Sequence, residues 1–445
     1  MAIESGAAQP VSAVETGEYV WNLPAGFPAP KVPNNNPITV EKVELGRFLF
    51  YDTRLSGNGT LACGSCHLQD LAFTDGLAHA IGSTGEVHPR SSMSLTNAGY
   101  SSSFTWGNPV IFELEDQALG PMFGEAPVEL GLSGREDDLL ARIRADRRYQ
   151  RMFSEAFPAD DPLWQDFPEA NEPLSRDTLI ATITRAIASW ERTLISGNSA
   201  YDRFTFGLDD DAMSDSALRG AGMFFSERLE CFHCHGGFNF SFSVSFVGNE
   251  FDEIGFFNTG LYNLDGKGAY PAPNTGIYSV TGEPRDMGRF KAPTLRNIEL
   301  TAPYMHDGSI ATLEEVIDHY AAGGRTIENG PHAGVGSASP LKDGFVVGFS
   351  LDPQETEDLL AFLRSLTDRE FTTKPTFSDP FSVPACPGDC NLDAAVTVQD
   401  LIANVNVALG RSSLARCVAG DSNGDGNVTV GELISAVRAA LDGCP

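Results

Sequence analysis

The chain has 445 residues, of which 60 are acidic and 30 are basic, and its formal net charge at pH 7 is −30. This charge argues against binding to nucleic acids or anionic membrane surfaces, and it favours basic or neutral partners. The length predicts about three domains, and the 45 glycines and 27 prolines predict long irregular loops.

The N-terminal segment, residues 1–17, is predicted to be a flexible leader. It begins MAIESGAAQP, which lacks the charged start and the apolar core of a signal peptide. Further along the chain, no apolar run approaches the ~20 residues of a membrane-spanning helix. We therefore expect no membrane span.

The first motif that carries chemistry is Cys63-Gly-Ser-Cys66-His67, in a predicted first domain of residues 18–170. A second copy, with Cys231, Cys234 and His235, lies in a predicted second domain of residues 171–370. A structural zinc site would need four ligands in paired clusters, and a thioredoxin-like pair needs no adjacent histidine. In c-type haem attachment the two sulfurs bind the macrocycle and the histidine that follows ligates the iron. The sequence predicts two covalently bound haem c groups, with zinc as the alternative.

Three stretches have helical periodicity. Residues 178–194 are predicted to bridge the two haem domains, and one face carries Leu179, Ile183, Ala186, Ile187, Trp190 and Leu194. A helix that starts at Thr312 turns Tyr320 inward, in line with Leu313, Val316 and Ile317, while Asp318 and His319 point away. Residues 355–366 form a third amphipathic helix near the end of the second domain.

The proline-rich, aperiodic residues 371–385 are predicted to be a linker to a last domain, residues 386–445. This domain contains the four cysteines outside the haem motifs: Cys386, Cys390, Cys417 and Cys444. They predict two disulfides in an oxidising compartment, with three possible pairings. Because covalent haem attachment also takes place outside the cytoplasm, we expect a periplasmic or secreted protein from which a signal peptide has been removed.

The last domain contains an internal repeat that predicts calcium binding. Two loops, starting after Gly388 and Gly420, place oxygen donors at the EF-hand positions one, three, five and twelve, and each loop leads into an apolar-periodic helix. The second loop has the expected turn glycine, Gly426, whereas the first has Ala394. A loop and helix without a preceding helix resemble a dockerin repeat, and two aspartate-rich turns without metal are the alternative. The predicted ligands are Asp389, Asn391, Asp393, Asp400, Asp421, Asn423, Asp425, Asn427 and Glu432.

Residues 18–370 resemble the bacterial di-haem cytochrome c peroxidase and MauG family in several separate motifs. These are Val43 to His67, Ala72 to Gly76, the segments PRSSMSLTNAGY and SWERTLISGNSAYDRF, and the most specific stretch, Gly288 to Val316. The resemblance implies a mainly α-helical fold of two c-type cytochrome domains packed together. The tail then adds a small α-helical dockerin-like calcium module.

The same resemblance assigns roles around the first haem. The family's typical peroxidases carry a second iron-ligating histidine in the loop after the first motif, but the matching position here is Ser83, and His79 and His88 are out of register. We therefore expect an open position on the first iron, where hydrogen peroxide binds. Glu129 matches the catalytic glutamate, Gln117 a glutamine that orients the substrate, and Trp106 a tryptophan that relays electrons between the haems. Glu125 is the alternative acid.

At the second haem, Tyr320 matches the family's upper ligand position, where typical peroxidases have methionine and MauG has tyrosine. Met305 and His319 are the competing ligands. The family also binds a calcium ion between the haems. Two carbonyl ligands match Thr301 and Pro303, and Ser91 stands where the family has asparagine.

These expectations combine into a MauG-like peroxidase that reduces hydrogen peroxide. Its electrons would come from a small donor protein, a cytochrome c or a cupredoxin, or from a side chain of a protein substrate. The tail would dock the enzyme to a partner or to the cell surface. The alternative is a di-haem electron-transfer cytochrome without peroxidase activity.

Overall fold

The computed structural model describes residues 19–381 and 386–444. The predicted leader, residues 1–17, and residues 382–385 of the predicted linker lie outside the described residues. Within them the chain is mainly helical, as predicted. The helices are α1 (Val40–Tyr51), α2 (Cys63–Cys66), α3 (Leu114–Gln117), α4 (Leu119–Phe123), α5 (Glu136–Arg144), α6 (Arg147–Ala156), α7 (Leu163–Asp166), α8 (Leu179–Glu191), α9 (Ala200–Thr205), α10 (Asp215–Phe224), α11 (Tyr278–Thr281), α12 (Leu313–Ala321), α13 (Pro353–Ser365), α14 (Val398–Ala408) and α15 (Val430–Asp442).

The first hydrophobic core forms where α1 crosses α8. The helices approach so closely at Gly46 that a Cβ atom there would lie 2.0 Å from the carbonyl oxygen of Ala186. The apolar face predicted for residues 178–194 is buried in this core, including Ile183 and Trp190. The helix that was predicted to bridge two domains is thus a central element of the first core. The domain boundary near residue 171 stays a prediction.

The second core repeats this arrangement with α10 and α13. A Cβ atom at Gly220 of α10 would lie 2.0 Å from the carbonyl oxygen of Asp358 in α13. Leu359, Leu360 and Phe362 of α13 are buried here, which confirms the amphipathic helix predicted for residues 355–366. Helix α12, capped by Thr312, packs its Leu313 and Ile317 into the same core.

Two small antiparallel ladders complete the fold. Strands β1 (Phe256–Phe257) and β2 (Phe290–Lys291) pair with Phe256 opposite Lys291. Strands β3 (Thr326–Ile327) and β4 (Gly334–Val335) pair with Thr326 opposite Val335. Strand β2 of the first ladder places Lys291 in the wall between the two large cavities described below.

The tail is cross-linked by two disulfides and packs on the first core. Cys386 pairs with Cys444, and Cys390 pairs with Cys417, which selects one of the three possible pairings. Buried tail residues, among them Val407, Leu414 and Val428, join the same hydrophobic cluster as α1 and α8. The tail therefore shares a core with the first cytochrome region.

Ion pairs and hydrogen bonds reinforce this attachment. Arg148 of α6 forms an ion pair with Asp421, with 3.1 Å between Nε and Oδ2, and Glu155 accepts the amide of Leu414 at 2.8 Å. Part of the predicted linker is also attached to α1, since Tyr51 donates its hydroxyl hydrogen to the carbonyl of Phe377 at 2.7 Å. Aromatic side chains at 371 and 377 explain why this proline-rich segment packs.

In the part of the chain that the structure describes, no helix combines the length and the apolar character that crossing a bilayer demands.

Candidate functional site

The first haem motif lines a large cavity beside the first core. Cys63, Cys66 and His67 all face it. The Nδ1 of His67 lies 2.8 Å from the carbonyl oxygen of Phe73, so Nδ1 carries the hydrogen and Nε2 is free to bind a metal. Burial also lowers the pKa of His67, which keeps the imidazole neutral. Both thiols are free, so the three side chains fit a covalently attached haem.

The polar residues predicted for the first haem lie in the same cavity. Gln117, at the end of α3, and Glu129 both line it. Burial raises the pKa of Glu129, and the neighbouring His88 opposes that shift. The loop around Ser83 holds the acid in place, because the Ser83 amide donates to the carbonyl oxygen of Glu129 at 2.7 Å. A carboxyl group with a raised pKa in a cavity is suited to proton transfer.

The alternative residues for these roles differ in whether they line the first cavity. Glu125 lies outside the residues that line the first cavity and accepts a hydrogen bond from Ser133 at 2.7 Å. His79 is exposed and is not part of the lining either. His88 does line the cavity, and its Nε2 is 3.8 Å from Glu129 Oε1. The histidine with access to this cavity is therefore His88 rather than His79.

One buried acid in this cavity was not predicted. Glu191, the last residue of α8, lines the cavity, is 6% exposed, and its Oε2 has no hydrogen-bond partner. Burial raises its pKa to about 8, although Arg192 beside it acts in the opposite direction. Its spacing after Ile183 and Ile187 is the signal that could have placed it on the buried face of the helix.

The wall between the two cavities is built by Trp106 and Lys291, which line both of them. Trp106 donates its indole hydrogen to the carbonyl oxygen of Ser91 at 2.9 Å, and its own carbonyl accepts the amide of Lys291 at 2.9 Å. The Lys291 amine donates to the carbonyl oxygen of Ser103 at 2.7 Å, and burial lowers its pKa to about 8. Lys291 was not predicted, since nothing in its local sequence shows that it faces two cavities.

The second cavity contains the second motif, with Cys231, Cys234 and His235 in its lining. The Nδ1 of His235 is 3.2 Å from the carbonyl oxygen of Pro293 and 3.3 Å from that of Phe240, which again leaves Nε2 free. Burial lowers the pKa of His235 to about 4. The empty space is about 1370 Å³ here and about 1860 Å³ in the first cavity. Both volumes include space that is open to solvent, and in each cavity the two cysteines and the histidine of one motif lie together in the lining.

Two of the three candidate upper ligands reach the second cavity. Tyr320 of α12 and Met305 both line it, and burial raises the pKa of Tyr320 well above its usual range. His319 lies outside the lining, as the helical periodicity predicted, although it is buried on the other side of α12. His306 also lines this cavity and stacks on Phe290 with 3.6 Å between ring centroids.

Of the residues predicted for a calcium ion between the haems, Ser91 is engaged in hydrogen bonds to backbone carbonyls. The Ser91 hydroxyl donates to the carbonyl oxygen of Met305 at 3.2 Å, and its amide donates to that of His306 at 3.0 Å. The Thr301 hydroxyl donates to the carbonyl of Ile298, and Pro303 follows a cis peptide bond. Thr301 and Pro303 line neither cavity. This calcium site stays a prediction.

The two tail loops have matching internal hydrogen bonds. In the first loop, Asp389 Oδ2 accepts the amide of Ala394 at 2.9 Å, and in the second loop Asp421 Oδ2 accepts the amide of Gly426 at 2.9 Å. The residues at position twelve also agree, because Asp400 accepts the amide of Thr397, and Glu432 that of Thr429. Ala394 adopts φ +65° and Gly426 φ +81°. The alanine thus takes the left-handed turn that normally requires glycine.

Comparison with known proteins points to one family. The family model of the di-haem cytochrome c peroxidases matches residues 40–210. The cytochrome-c peroxidase IdrP1 of Denitromonas iodatirespirans is 32% identical over 82% of this chain and 89% of its own. The methylamine utilization protein MauG of Methylorubrum extorquens is 31% identical over 78% of this chain and 83% of its own. A crystal structure of a MauG-like protein associated with microbial copper homeostasis is 49% identical, with a TM-score of 0.76 over 82% of this chain and 99% of that one.

Proposed function

This chain belongs to the di-haem cytochrome c peroxidase and MauG family and is an oxidoreductase of the peroxidase type, and from this we propose that it reduces hydrogen peroxide in the first cavity. The observation that carries the proposal is that Gln117 and Glu129 face the same cavity as His67. A haem iron bound there supplies the redox chemistry. The surrounding side chains would bind the peroxide, orient it and move its proton.

The chemistry of the side chains follows from their surroundings. Peroxide must lose a proton from one oxygen and gain one on the other before its O–O bond breaks. Glu129 would accept the first proton and return it, since burial raises the pKa of its carboxyl group. Gln117 would orient the substrate with its amide.

The test for an open iron is a low-temperature EPR spectrum of the fully oxidised protein. One high-spin and one low-spin ferric signal would support an iron that His67 alone ligates from the protein. Two low-spin signals would contradict it. The variant His88→Gln then identifies the extra ligand, because His88 is the histidine that reaches this cavity. The exposed His79 serves as the control, and His79→Gln is expected to leave both signals unchanged.

We propose that Trp106 carries electrons between the cavities, supported by its position in the wall that they share. In the second cavity, Tyr320 is the proposed upper ligand and Met305 its competitor. Because burial opposes ionisation of the Tyr320 hydroxyl, the charge of a ferric iron would be needed to hold the tyrosinate. Replacing Tyr320 by Phe is expected to change the low-spin EPR signal. If Met305→Leu changes it and Tyr320→Phe does not, the assignment is wrong.

The electron source is proposed to be a basic or neutral protein, either a small cytochrome c or cupredoxin or a protein substrate, in keeping with the net charge of −30. The likeness to a MauG-like protein associated with microbial copper homeostasis also suggests that this chain acts in copper homeostasis. Deleting the gene and measuring growth across copper concentrations tests this setting. Unchanged growth at every concentration would remove it.

For the tail we propose a calcium-binding, dockerin-like role, supported by the matching hydrogen bonds of its two loops. Its helices also present matching exposed apolar residues at identical spacing: Val398, Ile402 and Val405 on α14 with Leu409 just after its end, and Val430, Ile434, Val437 and Leu441 on α15. Such a surface is typical of an interaction site. The two disulfides support a periplasmic or secreted location. Calorimetric titration with calcium, before and after changing Asp421 to Ala, tests the metal site.

A further inference from the structure

Three metal-ligating side chains meet beside the second haem motif, and the function proposed above uses none of them. They are Glu227, Glu230 and His233, and one ligand atom of each lies within 4.8 Å of the other two. Within residues 19–381 and 386–444, no other three histidine, cysteine, aspartate or glutamate side chains lie so close together. The spacing of three residues between successive members brings them together without a long loop.

The distances in this cluster suit ligands that share a metal ion. His233 Nε2 lies 2.9 Å from Glu230 Oε2 and 3.3 Å from Glu227 Oε2. Ligands bound to one Zn²⁺ at its usual bond lengths are about 2.9–3.5 Å apart. Hydrogen bonding alone leaves the group unsatisfied, since Nε2 carries at most one hydrogen and cannot donate to both acids. The hydrogen bond of Nε2 goes to Glu227 Oε2, and the buried Oε2 of Glu230 receives none, although it lies closer.

The surrounding structure holds the His233 ring in place, and the neighbouring arginine pairs with an acid outside the cluster. The His233 ring lies between Phe232 and Phe345, with 4.2 Å between its centroid and that of each ring. Arg228, between the two glutamates in sequence, pairs with Glu355 instead. Glu230 also has φ +59°, a left-handed conformation that is uncommon for glutamate and is a feature found at functional sites.

We propose that Glu227, Glu230 and His233 bind one divalent first-row transition ion such as Zn²⁺. One imidazole and two carboxylates are ordinary ligands of these ions, and a fourth position remains for water. Because Glu230 also lines the second cavity, the ion would sit at the rim of that cavity. It is separate from the tail loops, whose oxygen donors suit calcium.

The test uses the full-length holoprotein, which is first treated with a chelator to remove bound metal and then saturated with calcium. This protein is titrated with zinc chloride in a calorimeter. We expect one Zn²⁺ per chain, and we expect Glu230→Gln and His233→Gln each to weaken its binding at least ~10-fold. The matched control is His332→Gln, which removes an exposed histidine from another loop and is expected to leave the affinity unchanged.

A third variant keeps the proposal testable if changes within the haem motif impair haem attachment. Glu227 is exposed and precedes the motif, so Glu227→Gln is expected to keep both haems, as measured by absorbance, and still to weaken zinc binding. The proposal fails if the unaltered protein binds no Zn²⁺ in addition to calcium. It fails equally if all three variants bind Zn²⁺ as tightly as the unaltered protein.

Discussion

In the first cavity His67 is accompanied by Gln117 and Glu129, whereas in the second cavity His235 is accompanied by Tyr320 and Met305. Both histidines have their Nδ1 close to backbone carbonyl oxygens, at 2.8 Å for His67 and 3.2 Å for the nearer partner of His235. The attachment chemistry is therefore repeated, while the remaining lining differs. In the proposed function the iron of the first cavity reacts with peroxide, and the different linings of the two cavities would give their irons different properties.

The scaffolds of the two regions are also alike. Each core has a helix pair that crosses at a glycine, Gly46 between α1 and α8 and Gly220 between α10 and α13. In both places a backbone carbonyl oxygen occupies the space that a side chain would need. The similarity of the frames makes the difference between the cavities directly testable.

The largest expected effect concerns Glu129, the acid of the first cavity that is proposed to transfer the proton of the peroxide. Glu129→Gln removes the proposed proton acceptor and is expected to slow the reaction with hydrogen peroxide by ~10²–10⁴-fold, measured by stopped-flow absorbance. In the unaltered protein the rate should fall as the pH drops through the raised pKa of Glu129, since the carboxylate is the active form. The variant should lack that fall.

The matched control for this prediction is Glu125→Gln, because Glu125 is exposed and lies outside the cavity. It should keep the rate and the pH profile of the unaltered protein. If Glu129→Gln reacts at the normal rate, then Glu129 does not transfer the proton.

The first cavity contains the buried acid Glu191, whose ionisation should make the stability of the folded protein depend on pH. Its pKa is raised from 4.5 to about 8 by burial, so the folded protein binds this proton more tightly than the unfolded chain. Stability is therefore expected to fall as pH rises from 4.5 to about 8, by on the order of 4 kcal/mol, and then to level off. Glu191→Gln should flatten this dependence in chemical unfolding curves, and the exposed control Asp177→Asn should not. An unchanged slope in Glu191→Gln would show that the acid is ionised in the folded state.

The equivalence of the two helix pairs can be tested by adding one methyl group at the glycine where the helices of each pair cross. Gly46→Ala and Gly220→Ala are each expected to reduce the free energy of unfolding by ~2–3 kcal/mol, because the new Cβ must displace a backbone carbonyl. Gly222→Ala in α10 is the control, since no atom lies within 4 Å of its Cβ position. Thermal unfolding monitored by circular dichroism gives the comparison. A much smaller loss at one crossing would show that the two helix pairs are not equivalent.

The smallest effect concerns a third repeated feature, the two tail loops. Ala394 has φ +65° where its counterpart is Gly426. Ala394→Gly is expected to stabilise the tail by ~1 kcal/mol, since glycine adopts this conformation without steric cost, as measured by unfolding of the calcium-loaded protein. Ala395→Gly, at the next position, is the control. A loss of stability in Ala394→Gly would mean that the first loop does not share the conformation of the second.

The haem motifs and the principal helices could be predicted from the sequence because their signals are local. Five consecutive residues define each attachment site, and α8, α12 and α13 have their apolar residues at helical spacing. The cavity contact of Lys291 could not be predicted in this way, and helical spacing could place Glu191 only on the buried face of α8, without showing that it lines the cavity. These cavity contacts depend on which distant segments pack together, and the residues next to them in sequence do not encode that packing.

The tail shows the same limit. The cysteine count predicted two disulfides, but the pairing of Cys386 with Cys444 and of Cys390 with Cys417 depends on three-dimensional proximity. Composition predicted a linker for residues 371–385, yet Phe371 and Phe377 pack into the first core. Proline content lowers helical periodicity without preventing aromatic side chains from being buried.

The attachment of the tail to α6 has a consequence for how any partner would be presented. A module on a flexible linker samples a volume set by the length of the linker, and a partner bound to it takes many orientations relative to the enzyme. Here Arg148 and Glu155 hold the tail at both an ion pair and a hydrogen bond, above a shared core. These contacts fix the position of the tail on the first core, so a partner bound to the tail would have a defined distance and orientation relative to the first cavity.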